Sequence, residues 1–336
     1  MEKLRMALIG AGGIAGAHAR RSQGVKNLEI TAVVDIDETR ARALAEKLGG
    51  PRVFTRYEDA LAAGGFEAVD ICLPTHLHAP VAVAAASRGL HVLCEKPMAR
   101  TLEQARQMIK AARESGVVLM IGQVLRFNQP SLAFARAIQE GAIGRPVLWR
   151  IVTAGAGPSS PWYLEHEQGG GPLMDGAIHN YDLARYTFGE PRSVYAVGHH
   201  FRPDRTAFDT ATAVITFQSG DEMVLSWSWG MPAGVTSASG DVIGPEGVLL
   251  TSIPASAPDR PADTAETGHL AILRSGGQYE YRAHGKNDLF GDEIQAFTDA
   301  VLGGLPSPVS GEDNIRSLAI ACAVLESAAT GRVMEL

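Results

Sequence analysis

The first sixteen residues place the strongest constraint on the fold. A short apolar run, Leu4–Ile9, leads directly into Gly10-Ala-Gly-Gly-Ile-Ala-Gly16, and a helical pattern follows. A strand, a glycine-rich turn and a helix in this order are typical of a dinucleotide-binding βα unit. We expect Gly10 to permit the tight turn, Gly12 to let a pyrophosphate approach the backbone, and Ala15 to keep helix and strand close together.

An acidic residue stands at the end of the second predicted strand. Glu29–Val34 is followed by Asp35, about 20 residues beyond the glycine motif, where a carboxylate accepts hydrogen bonds from the adenosine ribose. A carboxylate would repel a 2′-phosphate, and Ile36 rather than an arginine comes next, so NAD is favoured over NADP. The predicted cofactor contacts in this region are Gly10, Gly12, Gly13, Ile14, Asp35 and Ile36.

Strands and helices continue to alternate as far as residue 122, which predicts a doubly wound parallel sheet. Ligands of such sheets bind beyond the carboxyl ends of the strands. Two more strand ends are therefore expected at the cofactor, and they contain Leu73, Pro74, Thr75, His76, His78, Glu95 and Lys96. Lys96, held by Pro97, can deliver a fixed positive charge. The two histidines can equally be loop residues or helix-start partners, and no metal site is predicted, because no third ligand has a recognisable spacing.

The pattern changes after Gly122. Several runs then alternate apolar with polar residues, as half-buried antiparallel strands do. They are Val147–Thr153, Ser193–Val197, Thr210–Phe217, Met223–Trp229 and Gly247–Leu250, and two closing helices follow at Asp292–Val301 and Asn314–Ala329. The sequence predicts a Rossmann domain over residues 1–122 and an α+β domain with an open, mainly antiparallel sheet over residues 123–336.

A polar stripe is predicted in the second domain. It follows Gly169-Gly-Gly-Pro172, and a helix from about Pro172 would place Asp175, His179 and Asp182 at i, i+4 and i+7 on a single face. Such groups beside a packed face must pair with each other or with a ligand. The alternative is a solvated stripe, or a helix-start aspartate with a satisfied core histidine. The triple glycine indicates that the backbone approaches something closely.

Charge and composition exclude several classes. A net charge of −7 with no long basic run argues against nucleic acid as a partner. No stretch of about 18 apolar residues exists for a membrane span, and no signal peptide is recognisable at the N-terminus. Cys72, Cys94 and Cys322 lie in apolar runs and are interpreted as reduced core residues of a cytoplasmic protein.

Taken together, these motifs resemble the Gfo/Idh/MocA oxidoreductases over nearly the whole chain. The resemblance rests on the glycine motif, Asp35, Pro74-Thr-His-Leu-His78, Glu95-Lys-Pro97, Arg126-Phe-Asn128, the run from Gly169 to Asp182, and the C-terminal segment from Gly311 to Arg332. It implies a Rossmann domain followed by a sheet-based substrate and oligomerisation domain. It also implies sugar or cyclitol substrates and a catalytic set of Lys96, Asp175 and His179. Gly-Ala-Ile between this aspartate and histidine departs slightly from the family pattern.

The expected reaction is hydride transfer between a carbinol carbon and the nicotinamide ring. His179 suits a general base at neutral pH, Asp175 can orient it, and Lys96 can polarise the reacting oxygen, although spacing leaves open which of Lys96 and His179 takes the proton. Further substrate contacts are predicted at Arg126, Asn128 and Trp162, with Arg126 also near the cofactor.

Three other functions remain open at this stage. They are a glycosidase that uses NAD in an internal redox cycle, a keto-sugar reductase, and a non-catalytic sugar or NAD sensor. A homodimer or homotetramer is expected, because an open sheet needs cover and Trp149, Trp227 and Trp229 lie on its predicted strands.

Overall fold

A computed structural model describes residues 3–250 and 252–336. The chain forms two compact units, one of residues 1–124 with 288–318 and the other of residues 125–287 with 319–336. The sequence-based division at residue 122 assigned residues 288–318 to the second domain, whereas in the structure they belong to the first unit. This return is caused by packing, because Ile294 and Phe297 are fully buried and the Phe290 ring lies 5.5 Å from that of His18.

The first unit contains the predicted parallel sheet. Its described strands are β1 (Leu4–Ile9), β2 (Leu28–Val34), β3 (Arg52–Phe54), β4 (Ala68–Ile71), β5 (His91–Glu95) and β6 (Leu119–Gly122), in the spatial order β3-β2-β1-β4-β5-β6. The helices are α1 (Gly13–Ser22), α2 (Glu38–Lys47), α3 (Tyr57–Ala63), α4 (His78–Ala86) and α5 (Leu102–Ser115). All pairings are parallel, which confirms the doubly wound prediction.

The caps of these helices follow from local sequence. The Asp37 side chain accepts from the first turn of α2, and Thr101 accepts the Gln104 backbone N–H at the start of α5. Gly116 ends α5 with a φ of 65°, a left-handed conformation that favours glycine. These interactions span only a few residues, so the limits of these helices are set by local sequence.

The second unit contains a mixed sheet. Its described strands are β7 (Leu148–Ala154), β8 (Pro191–His199), β9 (Thr210–Phe217), β10 (Glu222–Ser228), β11 (Ser237–Gly244), β12 (Gly247–Leu250), β13 (Thr267–Leu273), β14 (Tyr279–Gly285) and β15 (Met334–Glu335), ordered β14-β13-β12-β11-β7-β10-β9-β8-β15. Only β7 and β10 pair in parallel among these strands, so the mainly antiparallel prediction is confirmed. The sequence prediction missed β11, β13, β14 and β15. β11, Ser-Ala-Ser-Gly-Asp-Val-Ile-Gly, is too polar and glycine-rich to show alternation.

Helices α6 (Gln129–Gln139) and α7 (Ile178–Phe188) belong to the second unit, and α8 (Leu289–Gly303) to the first, while α9 (Gly311–Thr330) contributes residues to both. Trp149 of β7 packs between Phe134 of α6 and Phe188 of α7, with ring centroids 4.9 and 6.2 Å away. The inner face of the mixed sheet is thus the face these helices cover. Within the described residues, no helix has both the length and the apolar character that crossing a bilayer requires.

Candidate functional site

The glycine turn of the first unit has the properties that a pyrophosphate needs. Gly10 has a φ of 113°, and a Cβ there would lie 2.3 Å from the Cys72 carbonyl oxygen, so only glycine fits. Gly12 precedes α1 as its N-cap, and a Cβ at Gly12 or Gly13 would meet nothing within 4 Å. The N-terminus of α1 therefore presents backbone N–H groups beside open space, which suits an anion.

Asp35 is fixed by its neighbours. Its carboxylate accepts the Ala11 N–H at 2.8 Å and the Asp37 N–H at 2.9 Å, and it pairs with the Arg40 guanidinium at 3.0 Å. Ile36, by contrast, is 88% exposed, so its side chain is available to a flat ring. The carboxylate is thus oriented beside the glycine turn, as ribose recognition requires. Sequence reasoning did not foresee the contact with Arg40, which comes from the first turn of α2.

The ends of β4 and β5 carry the other predicted cofactor residues. Thr75 is buried, and a short 3₁₀ turn runs from it to Leu77. His76 is partly exposed, and burial, then His78 and then Arg100 lower the pKa of its imidazole. His78 is 1% exposed, with Nδ1 2.8 Å from the Pro97 carbonyl oxygen and Nε2 2.7 Å from that of Leu73.

A buried ionic cluster lies behind the Glu95–Pro97 turn. His18 Nδ1 is 2.8 Å from Asp70 Oδ2, and its Nε2 is 3.1 Å from Glu95 Oε1. Glu293 of α8 is fully buried close by. We did not predict this cluster from the sequence. The available signal was an imidazole three residues after Ala15 on the buried side of α1, but its partners are 52 to 275 positions away.

The same cluster contains side chains of metal-ligand type. His18, Asp70 and Cys72 form one group whose ligand atoms lie within 4.8 Å of one another, and His18, Glu95 and Glu293 form a second. Both nitrogens of His18 already face carboxylates, so a cation would have to displace these hydrogen bonds. The absence of a metal site stays a prediction.

In the second unit, the triple glycine packs against the protein's own backbone. Gly169 and Gly171 donate to the Trp162 and Tyr163 carbonyl oxygens at 2.9 and 2.8 Å. A Cβ at Gly169 would lie 2.6 Å from the Tyr163 Cα, and one at Gly171, with a φ of 76°, would lie 2.5 Å from the Phe208 carbonyl oxygen. The close approach indicated by the sequence is therefore made to these segments.

The single helix predicted from Pro172 is wrong. Pro172–Gly176 forms a π-helical turn, and the α-helix begins only at Ile178. A Cβ at Gly176 would lie 2.9 Å from Trp229 and 3.2 Å from Trp227, so these rings need a glycine where the two helical pieces meet. Both tryptophans thus pack against the segment that contains Gly176. They therefore do not lie on the exposed face of the mixed sheet, which is the face that a second copy would have to cover.

The predicted polar residues lie on the two pieces of this segment. Asp175, on the π-helical turn, is 5% exposed, and His179, in the first turn of α7, is half-buried. Asp182, one turn further, is 1% exposed and binds Arg126 through two hydrogen bonds of 2.6 and 3.0 Å. The Arg126 guanidinium also lies 4.5 Å from the Tyr186 ring centroid. Asp182 is therefore one half of a buried ion pair.

Asn128 and Trp162 have local contacts. The Asn128 side-chain oxygen caps α6 by accepting the Ser131 N–H at 3.1 Å and its hydroxyl at 2.9 Å. The Trp162 ring stacks on Tyr163 with centroids 3.7 Å apart, and Tyr163 meets Trp229 edge-on at 5.8 Å. These half-buried rings form an aromatic group beside the Asp175 turn.

The chain is similar to known proteins over nearly its whole length. Residues 4–123 match the model of the oxidoreductase family with an NAD-binding Rossmann fold, and residues 132–250 match the GFO/IDH/MocA C-terminal domain. The chain is 31% identical to 1,5-anhydro-D-fructose reductase of Ensifer adhaerens, covering 99% of this chain and 98% of the relative. It is 28% identical to myo-inositol 2-dehydrogenase of Thermotoga maritima, with 99% and 98% covered. A levoglucosan dehydrogenase in complex with NADH and levoglucosan superposes with a TM-score of 0.82 at 25% identity, with 99% of each chain covered.

Proposed function

Because the chain belongs to the Gfo/Idh/MocA family of NAD-binding oxidoreductases, we propose that it transfers a hydride between NAD and a hydroxyl-bearing carbon of a sugar, cyclitol or related polyol. One observation carries the proposal. The glycine turn with the oriented Asp35 and the polar residues Lys96, Asp175 and His179 occur together on a chain that sugar and cyclitol dehydrogenases match over its full length.

Each of these residues has a proposed role. The N–H groups after Gly10 and the Asp35 carboxylate would hold NAD, which would supply the hydride acceptor. His179 takes the hydroxyl proton, Asp175 orients its ring, and the Lys96 ammonium stabilises the developing negative charge on oxygen. Arg126, Asn128 and Trp162 are proposed to border the substrate, with Arg126 also near the nicotinamide.

His179→Ala tests this assignment. Loss of the general base should lower kcat by about 10² or more. The assay is NADH formation from NAD over a panel of sugars and cyclitols, repeated with NADP, which we expect to be the poorer cofactor. His199→Ala, which removes an exposed imidazole of the same unit, is the control and should keep its turnover. Near-normal turnover by the His179 variant would remove this residue from the mechanism.

A keto-sugar reductase is the second candidate, because the relative with 31% identity is named a reductase. The enzyme would then act in the opposite direction on the same pair of atoms. Incubation with keto-sugars and NADH separates the two: consumption of NADH with no NADH formation from any polyol would favour reduction. A chemical change in a glycoside without net NADH would instead indicate an internal redox cycle, and NAD binding with no turnover would indicate a sensor.

We also propose a homo-oligomer, dimer or tetramer, and a cytoplasmic location. The outer face of the mixed sheet supports the oligomer, because it exposes large apolar side chains that a second copy could cover. They are Val152, Tyr195 and Val197, which are 40%, 43% and 42% exposed. The buried free thiols of Cys72 and Cys94 support a reducing compartment. Light scattering at micromolar concentration tests the assembly, and the mass of a monomer would contradict it.

A further inference from the structure

The turn that carries Lys96 is tied to the first unit by its preceding residue. Glu95, the last residue of β5, is 6% exposed, and its Oε2 accepts the Lys96 backbone N–H at 3.1 Å. The orientation of the Glu95 carboxylate and the position of the Lys96 backbone are therefore linked. Whatever fixes this carboxylate also fixes the base of the lysine side chain.

His18 holds Glu95 from one side. Its ring is 1% exposed and lies between two carboxylates, with Nδ1 2.8 Å from Asp70 Oδ2 and Nε2 3.1 Å from Glu95 Oε1. A neutral imidazole has one N–H and can donate to only one of them. Donation to both requires the imidazolium form, which is also the charge that two buried carboxylates need.

The groups that face His18 come from three elements. They are Asp70 of β4, Cys72 just after it, Glu95 of β5 and Glu293 of α8. Burial lowers the pKa of His18, but the Asp70 carboxylate and then Cys72 outweigh burial, and the pKa is well above its ordinary value. Burial, followed by Glu95, raises the pKa of Glu293 well above its usual range. The geometry of the cluster thus places one imidazole between two carboxylates, with a third carboxyl group close by.

His78 holds the turn from the other side. It opens α4, and its two nitrogens face the carbonyl oxygens of Leu73, after β4, and Pro97, after Lys96, at 2.7 and 2.8 Å. Carbonyl oxygens only accept, so both nitrogens must carry hydrogen to make these bonds. Burial, then His78 and then Arg100 lower the pKa of the neighbouring His76 imidazole.

We propose that His18 and His78 are positioning residues whose imidazolium rings, each donating from both nitrogens, clamp the Glu95–Pro97 turn from its two ends and so place Lys96 for its part in the reaction. Each ring is 1% exposed, and both nitrogens of each face oxygen atoms of the protein. In this proposal His78 acts on the site through the turn, and its direct contact with the cofactor stays a prediction from the sequence. The contacts of His18 and His78 support the clamp itself, whereas its effect on turnover rests on the proposed function of Lys96.

The protonation states can be measured without any substrate. Side-chain ¹⁵N correlation spectra of histidine-labelled protein at about pH 8, above the ordinary histidine range, distinguish imidazolium from neutral rings. Of the ten histidines, two should keep the imidazolium signature, and His18→Gln and His78→Gln should each remove one. Neutral rings at both positions would overturn the proposal, whatever the enzyme's substrate is.

Kinetics test the consequence. A glutamine side chain has a donating nitrogen at one position and an accepting oxygen at the other, so it can hold only one of the two acceptors. Each variant should therefore let the turn move and lower kcat by about 10- to 100-fold, as small misplacements of catalytic groups do. The dissociation constant for NAD should stay close to that of the wild type, and kcat is referred to the fraction of each variant that is folded at the assay temperature. The matched control is His91→Gln, at the opposite end of β5, where Nδ1 accepts the Val118 N–H at 3.0 Å.

The outcomes separate the possibilities. A fall in kcat for both variants with unchanged NAD affinity, and none for the His91 variant, supports the clamp. Unchanged kcat, or a loss that only follows the loss of folded protein, refutes it. If the wild type turns over no polyol or keto-sugar, the proposed function fails, and the spectra still decide whether the two rings are charged.

Discussion

The parallel sheet of the first unit is buried on both faces, whereas the mixed sheet of the second is buried on one. In β1, the residues from Met6 to Ile9 are each at most 1% exposed. In β9, Ala211, Ala213, Ile215 and Phe217 are buried, and the residues between them are partly or largely exposed. Helices cover both sides of the first sheet, while α6 and α7 pack on the inner side of the second.

This difference determines where polar groups find partners. A polar side chain on the outer face of the mixed sheet can bond to water. Polar groups at the ends of the central parallel strands have no such access, so Asp70 and Glu95 must share an imidazole. The same rule applies in the second unit, where Arg126 and Asp182, with side chains 11% and 1% exposed, pair with each other.

The largest expected effect tests whether water is excluded from this ion pair as it is from the interior of the parallel sheet. Asp182→Ala removes the buried carboxylate that binds the Arg126 guanidinium, which is 11% exposed, and should cost about 3–5 kcal/mol of unfolding free energy. The surface pair Arg42–Glu38 is the control, with side chains 67% and 55% exposed, and Glu38→Ala should cost about 0.5 kcal/mol or less. Urea unfolding measures both. Similar small costs would mean that water reaches Arg126.

The next effect tests the burial of the faces directly. Leu8→Ala and Ile9→Ala, on opposite faces of β1, should each cost about 2–5 kcal/mol, because both side chains leave cavities. In β9, Ile215→Ala should cost a similar amount, but its neighbour Val214→Ala only about 1 kcal/mol or less. A large cost at Val214 that grows with protein concentration would indicate that a second copy covers the outer face.

The smallest expected effect is a change of pH dependence. Because the folded pKa of His18 is raised, its ion pairs stabilise the fold fully below the ordinary histidine pKa, and this stabilisation is lost as the pH rises through the folded value. The difference in unfolding free energy between the wild type and His18→Gln should therefore be greatest at about pH 6 and should shrink at alkaline pH. Urea unfolding across the pH range measures it, and a constant difference would mean that His18 is not charged in the folded protein.

Much of the first unit could be predicted from sequence because its signals are local. The glycine turn, Asp35 and the Thr101 cap each depend on residues within a short stretch of chain or at a fixed spacing. In the second unit, alternation identified the strands with one buried face. It failed for β11, where small and polar residues leave no pattern to detect.

The sequence predicted which residues belong to the candidate site, but it did not predict how they are arranged. The polar spacing from Asp175 to Asp182 was visible, but the break at Gly176 depends on Trp227 and Trp229, some 50 positions away. Sequence also could not show that Asp182 is already bound to Arg126, because that contact joins residues 56 positions apart.

The sequence by itself determined the family, the cofactor class and the order of most strands and helices, since these follow from short motifs, periodicity and caps. Only the tertiary structure decided which buried groups share a proton. His18, Glu95 and Glu293 meet because α1, β5 and α8 pack together, and α8 arrives from nearly 200 residues further along the chain. Desolvation then makes pairing between them obligatory, an energetic requirement that exists only once the chain has folded.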